Sequence, residues 1–544
     1  MQRFVRDFLL VVVLIATSLV TFAPSAEAVP SYSRRYGFDC SSCHTMWGAL
    51  NAAGVTFRLS GYRAMFGKDL VPIEAGKDIN IPGTTVKIPG SMPFSFITGV
   101  GYDYRSEKRT GFDGTTTTHT GSSLALEDAS IFLTAPIGDH FSAFVEFPMY
   151  ETRAWEFTPT GPSGPTSSAN TPGGANDIVN IARHFQFNTE KPVFEVAKFF
   201  WNNIFGDSLQ RDSVNALVGI THMPLPYSPG KVRLSVNQYP IYERRALELI
   251  SPNHTSLMGG ANDLFRLSEP QILAELYGMI VPGGQVTATA NKETPWFEYH
   301  VGLTNGNNDQ TNNNTSLGGY ARLVGRYYNQ SLGFFGFYKS DTYDDNLRMD
   351  SAFVISGANN NNPCNTPTVV TCSNTGIYNP FAPQAKNATS AVGIDGTLSL
   401  APWGIPVSLD NQYMWRRESN PTGFGQEFSW RGGFNQLNWF ATPQLVVYGR
   451  YDYLRGNTFN DTPFGGITYS DPREWDVVAG IQYAIYQNVK LIGEYRYHVF
   501  EDGAVGAPTG NGVGCVNTCQ PYTNRTTQAS IKDNGGTVRL MMGF

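Results

Sequence analysis

From residue 94 onward, apolar and polar positions alternate with a period of two. In VKLIGEYRYHVF (489–500), Val489, Leu491, Gly493, Tyr495, Tyr497 and Val499 share one face. Lys490, Glu494, Arg496 and His498 share the other. YARLVGRYY (320–328) sets Ala321, Leu323, Gly325 and Tyr327 against Arg322 and Arg326. QLVVYGRYDY (444–453) sets Leu445, Val447, Tyr451 and Tyr453 against Gln444, Arg450 and Asp452. Such alternation predicts strands, and a charged row opposite an aromatic and apolar one suits a strand with lipid on one side and a polar lumen on the other. A soluble sandwich is the competing arrangement. The length of the alternating runs and the girdle-like tyrosines favour a membrane barrel.

The connections carry a second pattern. Tight turns are expected at Pro136-Ile137-Gly138-Asp139, Asn329-Gln330, Pro402-Trp403-Gly404-Ile405 and Gln487-Asn488. Long polar stretches lie near 105–121, 152–177, 305–316, 344–390, 456–472 and 502–526. Short connections on one side and long ones on the other are the topology of an outer-membrane barrel. The predicted fold is therefore all-β: a transmembrane antiparallel barrel of 16 or 18 strands over 90–544, with 178–290 the hardest stretch to divide. The chain ends GGTVRLMMGF. Val538, Leu540, Met542 and Phe544 share a face, and a last strand ending in Phe looks like the signal read by the bacterial barrel-assembly machinery.

Composition agrees. Charged residues make up only 15% of the chain, against 56 Gly and 27 Tyr, and the net charge of −6 offers no basic footprint for nucleic acid. A mean hydropathy of −0.24 is too low for a helical membrane protein but not for a barrel. Arg3 and Arg6, an apolar run from Phe8 to Val20 and Ala26-Glu27-Ala28 read as a secretory signal over 1–28, cleaved before Val29. Export suits the cysteines in polar loops, where Cys364 with Cys372 and Cys515 with Cys519 are expected to form local disulfides.

Two cysteines remain, in DCSSCHTMW (39–47). Cys40-x-x-Cys43-His44 is the attachment motif of a c-type haem: the two thiols take the vinyl groups and the adjacent histidine becomes the proximal iron ligand. A redox dithiol would need a βαβ context, and a zinc site two more ligands nearby; neither is visible. One covalent haem c is expected. The following residues predict a short helix from Trp47 to Ala53, stopped by Gly54. Tyr36, Phe38, Trp47, Phe57, Tyr62 and Phe66 are available to line the haem, and Arg34, Arg35, Arg58 and Arg63 to meet its propionates. Met65 is the candidate distal ligand, with Met92, His184, His300 and His498 as alternatives. A haem segment of 29–75 is too short to stand alone, so it should plug the barrel from the periplasmic mouth.

The stretch VPSYSRRYGFDCSSCHTMWGALNAAGVTFRLSGYR, followed by a porin-like barrel, resembles the fused outer-membrane monohaem cytochrome–porins of iron-oxidising bacteria. The resemblance is specific over 29–67 and architectural beyond. It implies oxidation of extracellular Fe(II), the electron passing through the haem to a periplasmic cytochrome or cupredoxin. Cys40 and Cys43 match the attachment positions and His44 the axial ligand. The alternatives are a haem-plugged transport porin and an electron exit that reduces extracellular acceptors. Inward carboxylates such as Glu127, Asp128, Glu146, Asp452 and Glu494 can attract a cation, but each also suits a lumenal ion pair with Arg322, Arg326, Arg450 or Arg496.

Overall fold

The computed structural model describes residues 43–46, 49–63, 79–80, 87–88, 94–110, 116–137, 140–151, 195–227, 233–246, 249, 265–283, 295–306, 316–342, 386–421, 427–461, 467–486, 488–505 and 529–543. The signal region, Cys40, Met65, Met92, His184 and the four loop cysteines lie outside them, as do the side chains of Glu127 and Asp128.

The described chain opens with a small ladder of β1 (His44–Met46) and β2 (Ala49–Leu50), then helix α1 (Ala52–Leu59). A second ladder pairs β3 (Ile79–Asn80) with β4 (Lys87–Ile88). The barrel begins with β5 (Phe94–Thr110), β6 (Thr116–Ile137), β7 (Phe141–Glu151), β8 (Val196–Trp201) and β9 (Asn215–Thr221). A single helical turn, α2 (Pro240–Glu243), precedes β10 (Gln271–Ile280), β11 (Trp296–Thr304), β12 (Gly318–Tyr327), β13 (Gln330–Thr342), β14 (Lys386–Ser399), β15 (Val407–Glu418), β16 (Phe428–Thr442) and β17 (Leu445–Gly456). A three-residue continuation, β18 (Phe459–Asp461), leads to β19 (Ile467–Tyr486), β20 (Val489–Val505) and β21 (Ala529–Gly543). Each strand pairs antiparallel with its neighbour, and β21 pairs with β5 to close the ring. With β18 counted as an extension, β5–β17 and β19–β21 make 16 strands, the lower of the two expected numbers.

The period of two does what it predicts. Leu276, Val301, Leu323, Phe334, Leu437 and Ile481 point outward and are exposed, while Arg322, Arg450, Asp452, Glu494 and His498 point inward and are buried. An outward apolar face on a closed barrel is a lipid belt, ~25 Å tall in outer-membrane barrels. The tight turns after β6, β12, β16 and β19 fall at one end, together with the start of β5 and the end of β21. Short turns mark the periplasmic end. Four loop expectations change: β5 and β6 run to Thr110 and from Thr116 within the stretch placed at 105–121, β14 begins at Lys386 within 344–390, β18 (Phe459–Asp461) and the start of β19 at Ile467 fall within 456–472, and β20 extends to Val505 within 502–526.

Inside, the lumen is packed with chain. Between β9 and β10 the described residues 222–227, 233–246, 249 and 265–270 leave the loop end and fold into the bore, an excursion that nothing in the sequence pattern announced. Tyr239, Ile241, Tyr242, Ala246 and Leu249 are fully buried in one core with inward residues of the wall such as Phe335, Met414, Trp430 and Phe434. Polar contacts fix it. Arg244 forms a bidentate pair with Glu474 at 2.7 and 2.6 Å. Arg416 donates to the carbonyls of Ile241 and Arg244 at 3.2 and 2.8 Å, and Arg450 to those of Asn237 and Gln238 at 2.9 and 3.2 Å. Tyr239 donates to Gln436, and Gln482 to the carbonyl of Leu234.

Candidate functional site

The N-terminal segment occupies the periplasmic half of the same lumen. Its helix is α1, and the expectation of a helix from Trp47 to Ala53 ending at Gly54 is corrected. Asn51 is the N-cap, its side-chain oxygen accepting from the Gly54 N–H at 2.9 Å. Gly54 therefore sits in the first turn, and packing, not termination, explains it. A Cβ there would stand 2.0 Å from the carbonyl oxygen of Cys43. The same carbonyl accepts from the Asn51 N–H at 3.0 Å, so the motif's backbone is clamped onto the start of the helix. Gly54→Ala should push the two apart and cost ~1–3 kcal/mol of local stability. A lowered thermal midpoint for this segment, read as protease sensitivity near residue 54 with the barrel intact, is the expected result.

The helix ends in a Schellman motif. Gly61 adopts φ +67°, its N–H donates to the Arg58 carbonyl at 3.1 Å, and the Tyr62 N–H donates to the Phe57 carbonyl at 3.0 Å. The accompanying apolar contact is Tyr62 against Phe57, edge-on at 5.8 Å. This turn docks on the wall. Ser142 Oγ donates to the Gly61 carbonyl at 2.6 Å, and Asn215 donates to the Leu59 carbonyl at 3.1 Å. Tyr62 stacks on Phe144 at 5.2 Å and meets Phe200 edge-on at 5.7 Å, with the Lys198 ammonium 5.0 Å from the Phe144 ring. Ser142, Asn202 and Asn215 all lie next to periplasmic turns, which sets the depth of the segment.

His44 and Met46 face the opposite part of the wall. Met46 is buried with Leu234 of the inward loop and with Val446, Tyr448 and Val478. The two lumenal segments thus share one apolar cluster with this part of the wall. Burial, and then the Lys490 ammonium, hold the His44 imidazole down to about 4, against a hydrogen bond with the backbone of Ala49. It is neutral at physiological pH, the form that ligates a metal. Its Nδ1 is buried and has no hydrogen-bond partner among the described residues. A neutral, buried imidazole with an unsatisfied nitrogen, next to Cys43 on a clamped turn, fits a c-type haem.

The other sequence candidates separate. Phe57 and Tyr62 belong to the segment's docking face, and Arg58 reaches Glu298 at 3.9 Å. His300 lies between Glu275 and Glu298, both at 2.9 Å, and His498 bonds Glu474 at 2.9 Å, so both barrel histidines are engaged by carboxylates. The expected ion pairs form with partly different partners: Arg450 with Asp452, Arg322 with Asp395, Arg326 with Glu298 and Arg496 with Asp476. Glu146 is buried on the inner face of β7. Glu494 instead holds the inward loop, accepting from Ser235, Val236 and Asn237. His222, also in the lumen, was missed by the sequence reading. Burial keeps it neutral, pushed down to about 3, aided by Lys198 and Arg233.

Several solved outer-membrane proteins superpose on this chain, each with a low score. The anion-selective porin from Comamonas acidovorans superposes with a TM-score of 0.42 at 9% identity, over 83% of this chain and 98% of that one. OmpT of Vibrio cholerae gives 0.40 at 9%, over 83% and 98%. Pseudomonas putida OprB gives 0.39 at 10%, over 83% and 94%. No family model and no curated protein matches the sequence. The barrel assignment rests on the closed ring of strands and its outward belt.

Proposed function

We propose that this chain carries electrons across the bacterial outer membrane. Extracellular Fe(II) gives up one electron and becomes Fe(III) outside; the electron reaches a periplasmic cytochrome or cupredoxin by way of a lumenal c-type haem. The observation that supports this reading is the location of Cys43, His44 and Met46. They lie inside the bore, on its periplasmic side, in a lumen otherwise packed with the chain's own segments. A solute pore has no need of a redox attachment motif, and a bore this full does not suit one. A soluble carrier has no need of a barrel.

The haem, when bound, supplies a one-electron couple between the external donor and the periplasmic acceptor. The chain does the rest. Cys40 and Cys43 would tether the group, and neutral His44 would ligate its iron. The clamp from Cys43 to α1 and the Schellman turn hold the tether against the wall. The inward loop packs against the wall on the side away from the periplasm, and this packing would oppose the passage of ions.

The test is optical. The oxidised, haem-loaded protein in detergent is mixed with Fe(II) at acidic and at neutral pH. Prompt appearance of reduced c-type bands is expected. A haem reduced by dithionite but not by Fe(II) would remove the iron-oxidising reading.

A further inference from the structure

The lipid-facing side of the barrel is not uniform. Near the extracellular ends of one set of strands it carries a strip of cations. Arg431 of β16, Arg455 of β17 and Arg473 of β19 are exposed and share the outward face with Leu437, Tyr451 and Ile481. Lys532 of β21 and Lys108 of β5 are exposed on the same side of the wall. The register sets these residues directly opposite one another: Arg431 pairs with Arg455, Arg455 with Arg473, and Lys532 with Lys108. At ~3.3 Å per residue and ~40° of tilt, β16 rises ~28 Å from Thr442 up to Arg431, which puts the row at the outer edge of a ~25 Å belt.

Like charges directly opposite on neighbouring strands destabilise a sheet. A single Arg or Lys at a membrane interface simply extends towards the headgroups. A row of direct neighbours also repels itself, and anions lying across the row would relieve it. Arg431, Lys108 and Lys532 have no hydrogen-bond or ion-pair partner among the described residues. Arg417, diagonal to Arg431, pairs with Glu427, and Glu501 stands opposite Arg473. Among the described residues the cations of this strip outnumber its carboxylates. One step nearer the belt centre, Tyr413, Tyr453 and Trp475 face outward in the adjoining row. The other side of the barrel differs. The outward face of β10–β13 presents Leu276, Val301, Leu303, Leu323 and Tyr338, and no cation among the described residues.

We infer that this sector of the outer face binds a phosphorylated lipid of the outer leaflet. Its phosphates lie across Arg431, Arg455 and Arg473 and against Lys108 and Lys532. Its acyl chains run down over Tyr413, Tyr453 and Trp475 towards the apolar belt. Guanidinium groups take phosphate bidentately, and such charge-assisted hydrogen bonds are the strong ones. A lipid fits better than a free anion, because the aromatic surface directly beneath the cations suits acyl chains and a free anion would leave it uncovered. The inference stands apart from the haem reading and holds or fails without it.

The experiment mixes the full-length protein, purified in detergent, with bis-phosphorylated lipid A and follows retention by native mass spectrometry. Dephosphorylated lipid A and inorganic phosphate are the comparison probes. The unaltered protein should retain the bis-phosphorylated lipid. Affinity should fall at least ~10-fold in Arg431→Gln/Arg455→Gln/Arg473→Gln, and further when Lys108→Gln/Lys532→Gln is added. Arg211→Gln, an exposed cation next to a periplasmic turn, should bind as the unaltered protein does. Dephosphorylated lipid A should bind weakly to every form, and millimolar inorganic phosphate should not displace the lipid. Heat-modifiable migration checks that each barrel has assembled. Should the fivefold variant fail to assemble, Arg431→Gln/Lys108→Gln/Lys532→Gln carries the same reading. Equal retention by the unaltered protein and the assembled variants overturns the inference, and so does equal binding of the dephosphorylated lipid. Displacement by inorganic phosphate would mark a plain anion site and overturn the assignment to a lipid.

Discussion

Glu494→Ala should turn a closed barrel into a conducting one. The Glu494 carboxylate accepts from Ser235 Oγ at 2.8 Å, from the backbone N–H of Val236 at 2.9 Å and of Asn237 at 3.0 Å, and from the Tyr448 hydroxyl at 2.5 Å; the Asn237 side chain adds another contact. All of these donors except Tyr448 belong to the inward loop. Removing the acceptor leaves several donors unsatisfied in a dry interior, at ~1–3 kcal/mol each. A loss of roughly 4 kcal/mol of docking energy would raise the undocked population about a thousandfold. In planar bilayers the unaltered protein should stay silent and Glu494→Ala should show ion-conducting openings. Equal silence from both, with the variant correctly assembled, would mean that the loop is held by its apolar core and by the Arg244–Glu474 pair without help from this carboxylate. Arg244→Met/Glu474→Gln is the comparison, since removing both charges of a buried pair is far milder than removing one.

The second large effect concerns the tether. Cys40→Ser/Cys43→Ser should abolish covalent haem, and with it the c-type absorption, while the barrel still assembles, because among the described residues its strand pairings all lie at or beyond Phe94. His44→Ala should keep the thioether bonds but remove the proximal ligand, giving a stained band on a denaturing gel with an altered visible spectrum. Heat-modifiable migration on a gel checks that the barrel forms in each variant. If the double variant kept its haem through denaturation, the attachment reading would be wrong.

Much of the barrel is legible in the sequence because its strands must satisfy lipid and lumen on alternate residues. Leu323 and Arg322, or Tyr451 and Asp452, announce their faces by their chemistry alone. The inward loop is not legible for the opposite reason. Its backbone obeys no period, and its stability comes from partners such as Glu494 and Glu474, which stand well over two hundred residues away. Nothing local distinguishes Ser235-Val236-Asn237 from an exposed loop. The helix after the motif was misplaced because a glycine in sequence reads as a stop. Gly54 is instead the only residue type that lets the helix approach the Cys43 carbonyl, a contact visible only in three dimensions. The haem motif itself is the reverse case: five residues carry the chemistry, while its depth in the bore depends on Ser142, Asn215 and Phe144 of the distant wall.

Electrons should cross the membrane through this protein while ions do not. Haem-loaded protein is reconstituted in liposomes with ferricyanide trapped inside, and Fe(II) is added outside. Bleaching of the trapped ferricyanide, with all the iron recovered outside as Fe(III), is the predicted result. Bleaching accompanied by entry of iron, or none at all from protein with a full complement of haem, would contradict it.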